Sequence, residues 1–194
     1  MYAKRALARG DDPEEVIRRI ADFRSSEKRP FVLRPAHGKE SPGRWEPQAL
    51  NAASITLAGE TVSSSGAAGV FAGYGANLNV QFSTITSNDG AAGIRVVEHS
   101  TLRLIDSTVS GNLSDGVNLE SSSAGTFENF GLGSTITGNA GVGVLVLDQS
   151  FGDFSNGPNT ITGNLGALDV ACFGQFPVTL SAKTLIGGTT NCPN

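Results

Sequence analysis

A six-residue phrase that occurs four times is the feature that most constrains the fold of this chain. Its copies read STITSN, STVSGN, STITGN and NTITGN and begin at residues 83, 107, 134 and 159, so that successive starts lie 24, 27 and 25 residues apart. A weaker copy, ETVSSS, begins at residue 60. A period of this length is typical of repeat proteins, in which each repeat adds one unit to a stack.

Each repeat contains three short runs with strand character. The phrase is followed by an apolar run such as GIRVV at 93–97, and a third run such as TLRLID at 101–106 closes most units. Such runs, bounded by Gly, Asn, Asp and Ser, indicate strands joined by turns. Because side chains alternate between the two faces of a strand, we predict that these apolar residues point inward: Val62, Ile85, Val109, Ile136, Ile161, Ile94, Val96, Val117, Leu119, Val144, Val146, Leu168 and Val170.

The phrase and the apolar run after it resemble the right-handed parallel β-helix family, the pectate-lyase-like solenoids, over about residues 53–194. The resemblance implies an all-β fold of about five coils with each strand paired to its equivalent one coil away, at about 4.8 Å. Identical residues then form ladders. We therefore expect an asparagine ladder at one turn, made by Asn88, Asn112, Asn139 and Asn164.

The sequence divides into three segments: a helical segment at 1–28, an irregular linker at 29–52 and the β-helix at 53–194. Residues 2–26 resemble a segment of RepB-like plasmid replication and mobilisation proteins, through the wording ALARGDDPEEVIRRIADFR, without that family's catalytic residues. This segment is expected to cap one end of the solenoid, to be a loosely attached arm or fusion remnant, or to be the remnant of a nucleic-acid-binding segment. The unit that starts at residue 107 is the longest, which predicts a loop at 121–125 or 131–133.

Charge is distributed unevenly along the chain. Residues 1–48 hold 11 Lys and Arg against 8 Asp and Glu, whereas residues 49–194 hold 3 against 10. Phosphate binding needs clustered Lys and Arg, so this balance argues against nucleic acid as a partner of the solenoid. No run reaches the 18 apolar residues typical of a membrane span, and nothing in the sequence indicates an oligomeric state.

The two cysteines, Cys172 and Cys192, lie 20 residues apart. They are expected either to form a disulfide that closes the last coil or to be two buried free thiols. A disulfide favours an oxidising compartment, and with the fold it predicts an extracellular or cell-surface location, although the first 30 residues lack the apolar core of a signal peptide. No Cys and His spacing predicts a metal site.

Catalysis is weakly indicated. Polysaccharide lyases of the resembled fold use clustered Asp ligands for calcium and an Arg or Lys base, which makes Arg95, Asp89, Glu98 and Asp115 the candidate catalytic residues. No coil shows the paired carboxylates that a calcium site needs. The motifs NTD, DD, GHG and RIK of the hydrolases of this fold are absent. The prediction therefore leans away from an enzyme, with calcium as a cofactor only if the chain is lyase-like.

A second candidate surface consists of the residues that flank the inward Ile or Val of the phrase. Alternation places two columns of hydroxyl side chains on one face: Thr84, Thr86, Thr108, Thr135, Thr137, Thr160 and Thr162, with Thr61, Ser63 and Ser110. These columns resemble the ice-binding faces of β-helical antifreeze proteins. The alternative is that β-branched Thr simply suits exposed strand positions.

Three functions follow from these observations. The favoured one is a non-catalytic binding or structural module with polysaccharide as its ligand, a ligand that rests on analogy of fold. The alternatives are a divergent polysaccharide lyase and a protein that binds ice or another crystalline surface.

Overall fold

The computed structural model describes residues 31–35, 45–49, 53–174, 179–181 and 187–192, and in these residues the repeat forms a parallel β-solenoid. Its strands are β1 (Phe31–Pro35), β2 (Trp45–Ala49), β3 (Ser54–Ala58), β4 (Thr61–Ser63), β5 (Val70–Ala72), β6 (Asn77–Gln81), β7 (Thr84–Thr86), β8 (Ala92–Val96), β9 (Thr101–Ile105), β10 (Thr108–Ser110), β11 (Asp115–Leu119), β12 (Ala124–Glu128), β13 (Thr135–Thr137), β14 (Val144–Leu147), β15 (Phe151–Asn156), β16 (Thr160–Ile161), β17 (Val170–Phe173) and β18 (Thr179–Ser181).

The strands form three sheets, and the chain visits them in turn. Sheet A has the order β1-β2-β5-β8-β11-β14-β17, sheet B the order β18-β15-β12-β9-β6-β3, and sheet C the order β16-β13-β10-β7-β4. The chain runs from sheet B to C to A and back, and completes five such turns between β3 and β17. The all-β solenoid of about five coils is therefore confirmed.

The first two strands depart from the sequence prediction. β1 pairs antiparallel with β2, and β2 pairs parallel with β5 at the end of sheet A. The segment at 29–52, predicted to be an irregular linker, thus contains two strands. The predicted helical segment at 1–28 lies outside the described residues, and among the described residues no helix is long and apolar enough to cross a membrane.

The interior is a column of apolar side chains, one set for each coil. Ile85, Val109, Ile136 and Ile161 are fully buried as predicted, and Phe127 and Phe154 stack with ring centroids 4.2 Å apart. In the last coil the prediction is confirmed for Val170 and wrong for Leu168. Val144 pairs with Val170 and Val146 with Cys172, so Cys172 is the second inward residue of this strand.

The asparagine ladder is confirmed at the corner between sheets C and A. The Nδ2 atoms of Asn88, Asn112 and Asn139 each donate to the Oδ1 atom of the next asparagine at 2.8 Å, and the last acceptor belongs to Asn164. Each Oδ1 also accepts the backbone N–H of the residue one coil earlier, for example Asn112 N–H to Asn139 Oδ1. The residue before each asparagine has a left-handed backbone, which explains Gly at position five in three of the four phrases.

The ladder ends on Asp169, which closes the last coil. Asp169 Oδ1 accepts Asn164 Nδ2 at 3.1 Å, and its Oδ2 accepts Thr189 N at 3.1 Å. Burial alone would raise the pKa of Asp169, but hydrogen bonds from Thr189 and Asn164 outweigh it and hold the pKa below its usual value. The predicted disulfide joins Cys172 to Cys192 beside it.

Candidate ligand-binding face

Between β3 and β17, the outer side of sheet B carries most of the large polar side chains that the three sheets expose. Alternation along β6, β9, β12 and β15 turns every second residue outward, and the parallel register aligns these residues in rows along the solenoid axis. We call this surface the B face. Its outward residues are Asn77, Asn79, Gln81, Thr101, Arg103, Ala124, Thr126, Glu128, Phe151 and Asp153.

An ion pair fixes the centre of the B face. Arg103 Nε and Nη2 donate to the two carboxylate oxygens of Glu128 at 2.8 and 2.6 Å, across one coil. Arg103 is 42% exposed and Glu128 is 14% exposed. The hydrogen bond to Glu128 raises the pKa of Arg103 above its ordinary value, although partial burial opposes the rise. Two parallel bonds give the guanidinium a fixed plane and orientation.

A loop at residues 129–133 borders the B face at the corner between sheets B and C. The Asp106 carboxylate accepts the N–H groups of Phe130 at 3.1 Å and Gly133 at 2.7 Å. Asn129 Oδ1 accepts Gly131 N–H at 2.5 Å. The loop is the insertion that the long repeat predicted, and of the two proposed positions the structure selects 131–133, since 124–128 is strand β12.

The loop presents apolar side chains to solvent beside the polar surface. Phe130 is 64% exposed and Leu132 is 91% exposed. The Arg103 guanidinium lies over the Phe130 ring at 5.6 Å from its centroid, which adds a cation–π contact to the loop. Phe82, 58% exposed, occupies the same corner two strands of sheet B away, and Phe151 lies on the B face itself.

The predicted lyase residues are arranged differently. Arg95 lies on the outer side of sheet A and donates to Glu120 at 2.9 Å, a partner that the sequence prediction did not name. Asp115 begins β11 and accepts Val142 N–H at 2.9 Å. Burial raises the pKa of Asp115, against the hydrogen bond from Val142, and the charge of Glu120 adds to the rise.

The other two predicted carboxylates lie at corners. Asp89 follows the first asparagine of the ladder, between sheets C and A, and Glu98 lies between sheets A and B with a left-handed backbone. The structure thus spreads the four predicted residues over sheet A and two corners. Within the described part of the chain, no group of three or more His, Cys, Asp or Glu side chains is placed to hold a metal ion.

The threonine columns occupy the outer side of sheet C. Thr61, Thr84, Thr108, Thr135 and Thr160 are in register, and Ser63, Thr86, Ser110 and Thr137 form the second column. These side chains are half-buried in the central strands and exposed in the outer ones. The five phrase copies therefore share one flat surface.

Sequence reasoning missed the B face, although the sequence contains a signal for it. Arg103 and Glu128 lie 25 residues apart, as do Arg95 and Glu120. This separation equals one coil, so opposite charges at that spacing predict contacts between neighbouring strands. The outward residues of β6 are uncharged, so no charge pair in the sequence indicates that they belong to this face. Only the strand register places them there.

Comparison with known proteins gives the family and nothing finer. Residues 48–174, more than half of the chain, match the family described as the right handed beta helix region. No match to the chain is found among the curated proteins or the solved structures. From the five parallel coils and from this match, the chain belongs to the right-handed β-helix family.

Proposed function

We propose that this β-helix is a non-catalytic binding module whose ligand is a polysaccharide, held on the B face. One observation carries the proposal: the exposed Phe130 ring lies next to rows of polar side chains. Asp106 holds the Phe130 backbone by a hydrogen bond, and the Arg103 guanidinium lies over the ring. Sugar rings offer an apolar face and a rim of hydroxyl groups. An aromatic ring beside amide, carboxylate and guanidinium groups is complementary to both.

The arrangement favours an extended chain that runs parallel to the solenoid axis. Equivalent side chains of the B face repeat at about 4.8 Å, the strand spacing, which is comparable to the length of one pyranose unit. The amide side chains of β6, Asn77 and Asn79, are followed along the axis by Thr101 and Arg103 of β9 and by Thr126 of β12. A linear polymer would therefore meet a hydrogen-bonding group at each coil.

The ion pairs support the absence of catalysis. A lyase base must be available to take a proton from its substrate. Arg95 and Arg103, the only Lys or Arg residues between 53 and 174, are both hydrogen-bonded to a glutamate. The Glu120 carboxylate accepts hydrogen bonds from Arg95 Nε and Nη2, and the Glu128 carboxylate does the same for Arg103, so neither guanidinium is free to meet a substrate proton.

An extracellular or cell-surface location is part of the proposal. The disulfide between Cys172 and Cys192 supports it, because structural disulfides persist in oxidising compartments.

The proposal is tested by affinity electrophoresis and titration calorimetry with a panel of soluble polysaccharides, with and without calcium. We expect the protein to be retarded by at least one polysaccharide, and we expect Phe130→Ala to lose that retardation. Phe173→Ala is the matched control, because Phe173 is also an exposed aromatic residue but lies on sheet A. The appearance of new reducing or unsaturated chain ends would overturn the non-catalytic part of the proposal and favour a divergent lyase.

The in-register columns on sheet C favour a second candidate function, binding to ice or another crystalline surface. Thr84, Thr108 and Thr135 repeat at the strand spacing on three adjacent strands, which gives a regular lattice of hydroxyl and methyl groups. We expect thermal hysteresis in the pure protein under this second function, and its loss in Thr108→Tyr. Thr126→Tyr, which places the same ring on sheet B, serves as the control.

A further inference from the structure

We infer that the ligand of the B face is a neutral polysaccharide and not an acidic one, an inference that rests on the proposed function of this face. The charge of the B face, and the hydrogen bonds in which its charged groups are already engaged, decide between the two classes of polymer.

Among the described residues of the B face, Arg103 is the one cation, and it is already neutralised within the protein. Both oxygens of Glu128 accept hydrogen bonds from Arg103, at 2.8 and 2.6 Å, so the pair offers little net charge to a ligand. A uronate carboxylate would have to displace Glu128 from the guanidinium. Since Glu128 is largely buried, its displacement would leave a desolvated carboxylate without its partner.

The surroundings of the pair are acidic. Asp153 shares the row of Arg103 on the B face, and Asp106 lies under the loop that carries Phe130. Between residues 53 and 174 the sequence has ten Asp and Glu against two Arg and no Lys. A polyanion would therefore approach a surface of its own sign, and repulsion would be strongest at low ionic strength.

The remaining groups suit uncharged sugars. Thr101 Oγ1 donates to Asn77 Oδ1 at 2.8 Å and can still accept from a sugar hydroxyl, while the amide groups of Asn77 and Gln81 can donate to one. None of these contacts requires the desolvation of a full charge. Phe130 and Phe151 offer apolar surface on which the C–H face of a pyranose ring packs. Binding of this kind depends little on salt, in contrast to binding of a polyanion.

The test compares uncharged polymers, an unsubstituted xylan, a mannan and a mixed-linkage glucan, with polygalacturonate at low and physiological salt. We expect wild-type protein to bind at least one uncharged polymer with little salt dependence and to bind polygalacturonate at least tenfold more weakly. Glu128→Gln removes the charge that neutralises Arg103 and leaves the shape of the side chain. We expect this variant to bind polygalacturonate about three- to fivefold more tightly than wild type at low salt.

Glu120→Gln is the matched control. It makes the same change in net charge and frees Arg95 in the same way, but on sheet A. The inference requires a gain for Glu128→Gln that exceeds the gain for Glu120→Gln. Equal gains, or preference of wild type for polygalacturonate, would overturn the inference and leave polysaccharide binding intact. Failure of every polymer to bind would instead overturn the proposed function itself.

Discussion

Two corners of the solenoid turn the chain from one sheet to the next, and they differ in the side chains that they present to solvent. At the corner between sheets C and A, asparagine recurs in four successive coils, and the amides of Asn88, Asn112, Asn139 and Asn164, of which only the last is not fully buried, bond to one another. At the corner between sheets B and C, the buried Ser107 and Ser134 also recur, and each accepts a backbone N–H from one coil earlier. The residues on the outer side of this corner differ from coil to coil, as in Phe82, Asp106 and the loop at 129–133.

The difference separates stability from recognition. A ladder satisfies its polar groups within the protein, so each copy depends on its neighbours and no group remains for a ligand. On the outer side of the corner between sheets B and C, the Asp106 carboxylate holds one loop, and this loop leaves Phe130 and Leu132 in solvent. We conclude that repetition marks residues that maintain the fold, and departure from repetition marks residues that are free to bind.

The largest expected effect comes from interrupting the ladder. Asn139→Ala removes the acceptor of Asn112 Nδ2 and Asn112 N and the donor to Val109 O and Asn164 Oδ1. Several buried polar groups then lack partners, which should lower the free energy of unfolding by about 4 kcal/mol. Urea unfolding measures this change. Thr137→Ala, two residues away and half-exposed, should change it by less than about 0.5 kcal/mol.

A somewhat smaller effect is expected where the repetition stops. Cys172 takes the inward position in β17, and its disulfide to Cys192 closes a loop of 20 residues. Replacing both cysteines by Ala should lower the free energy of unfolding by about 3 kcal/mol, by the loop-closure argument. Reduction of the wild-type disulfide should give a loss of similar size in the same urea assay. No loss in either case would show that the hydrogen bonds of Asp169 and Asn191 close the last coil by themselves.

Stability at the end of the ladder should depend on pH, because Asp169 is its one ionisable member. The folded-state pKa of Asp169 is lowered, so its contribution to stability is present above the unfolded pKa and is lost as pH falls through the folded value. Asp169→Asn should therefore be less stable than wild type at neutral pH, by about 2 kcal/mol. The difference should shrink in acid, below the ordinary pKa of Asp near 3.9.

Asp115→Asn provides a control of opposite sign. The folded-state pKa of Asp115 is raised, so ionisation of this carboxyl disfavours the folded state. The free energy of unfolding of wild type therefore falls as pH rises from the unfolded pKa towards the folded pKa. The amide oxygen can still accept Val142 N–H. The stability of Asp115→Asn relative to wild type should therefore improve with rising pH. Parallel pH profiles for the two variants would contradict both assignments.

The same contrast explains what the sequence could predict. The ladder and the inward residues follow from position in the repeat, because identical residues in stacked coils must meet. In the last coil the prediction is right for Val170 and wrong for Leu168, because Val170 aligns with Val144, the first inward residue of β14, and Cys172 therefore takes the second inward position. The B face was missed because its residues do not recur, and a polar residue at an outward strand position resembles any solvated surface.

Backbone conformation sets another limit on prediction from sequence. Where the chain passes from sheet A to sheet B, the corner contains two successive residues with a left-handed backbone. Glu98 with His99 and Asp148 with Gln149 are examples. Residues other than glycine rarely adopt this conformation, so no local propensity indicates it. Pairing across coils imposes it, since the His99 N–H donates to Ser121 O in the next coil. The turn is therefore a property of the stack and not of its own residues.

The smallest effect on stability, and the sharpest division between the two corners, is expected at the loop. Phe130→Ala removes a ring that is 64% exposed, so the free energy of unfolding should change by less than about 0.5 kcal/mol, while polysaccharide binding is lost. Asp106→Ala should also abolish binding, because the Phe130 and Gly133 N–H groups lose their common acceptor and the loop loses its fixed position. Since the Gly133 N–H is part-buried, this variant should also lower the free energy of unfolding by about 1 kcal/mol, well short of the ladder variant. Urea unfolding and affinity electrophoresis on the same samples, with Asn139→Ala beside them, measure both quantities. A loop variant that unfolds as easily as the ladder variant would show that this corner also maintains the fold, and the division between repeated and unrepeated residues would fail.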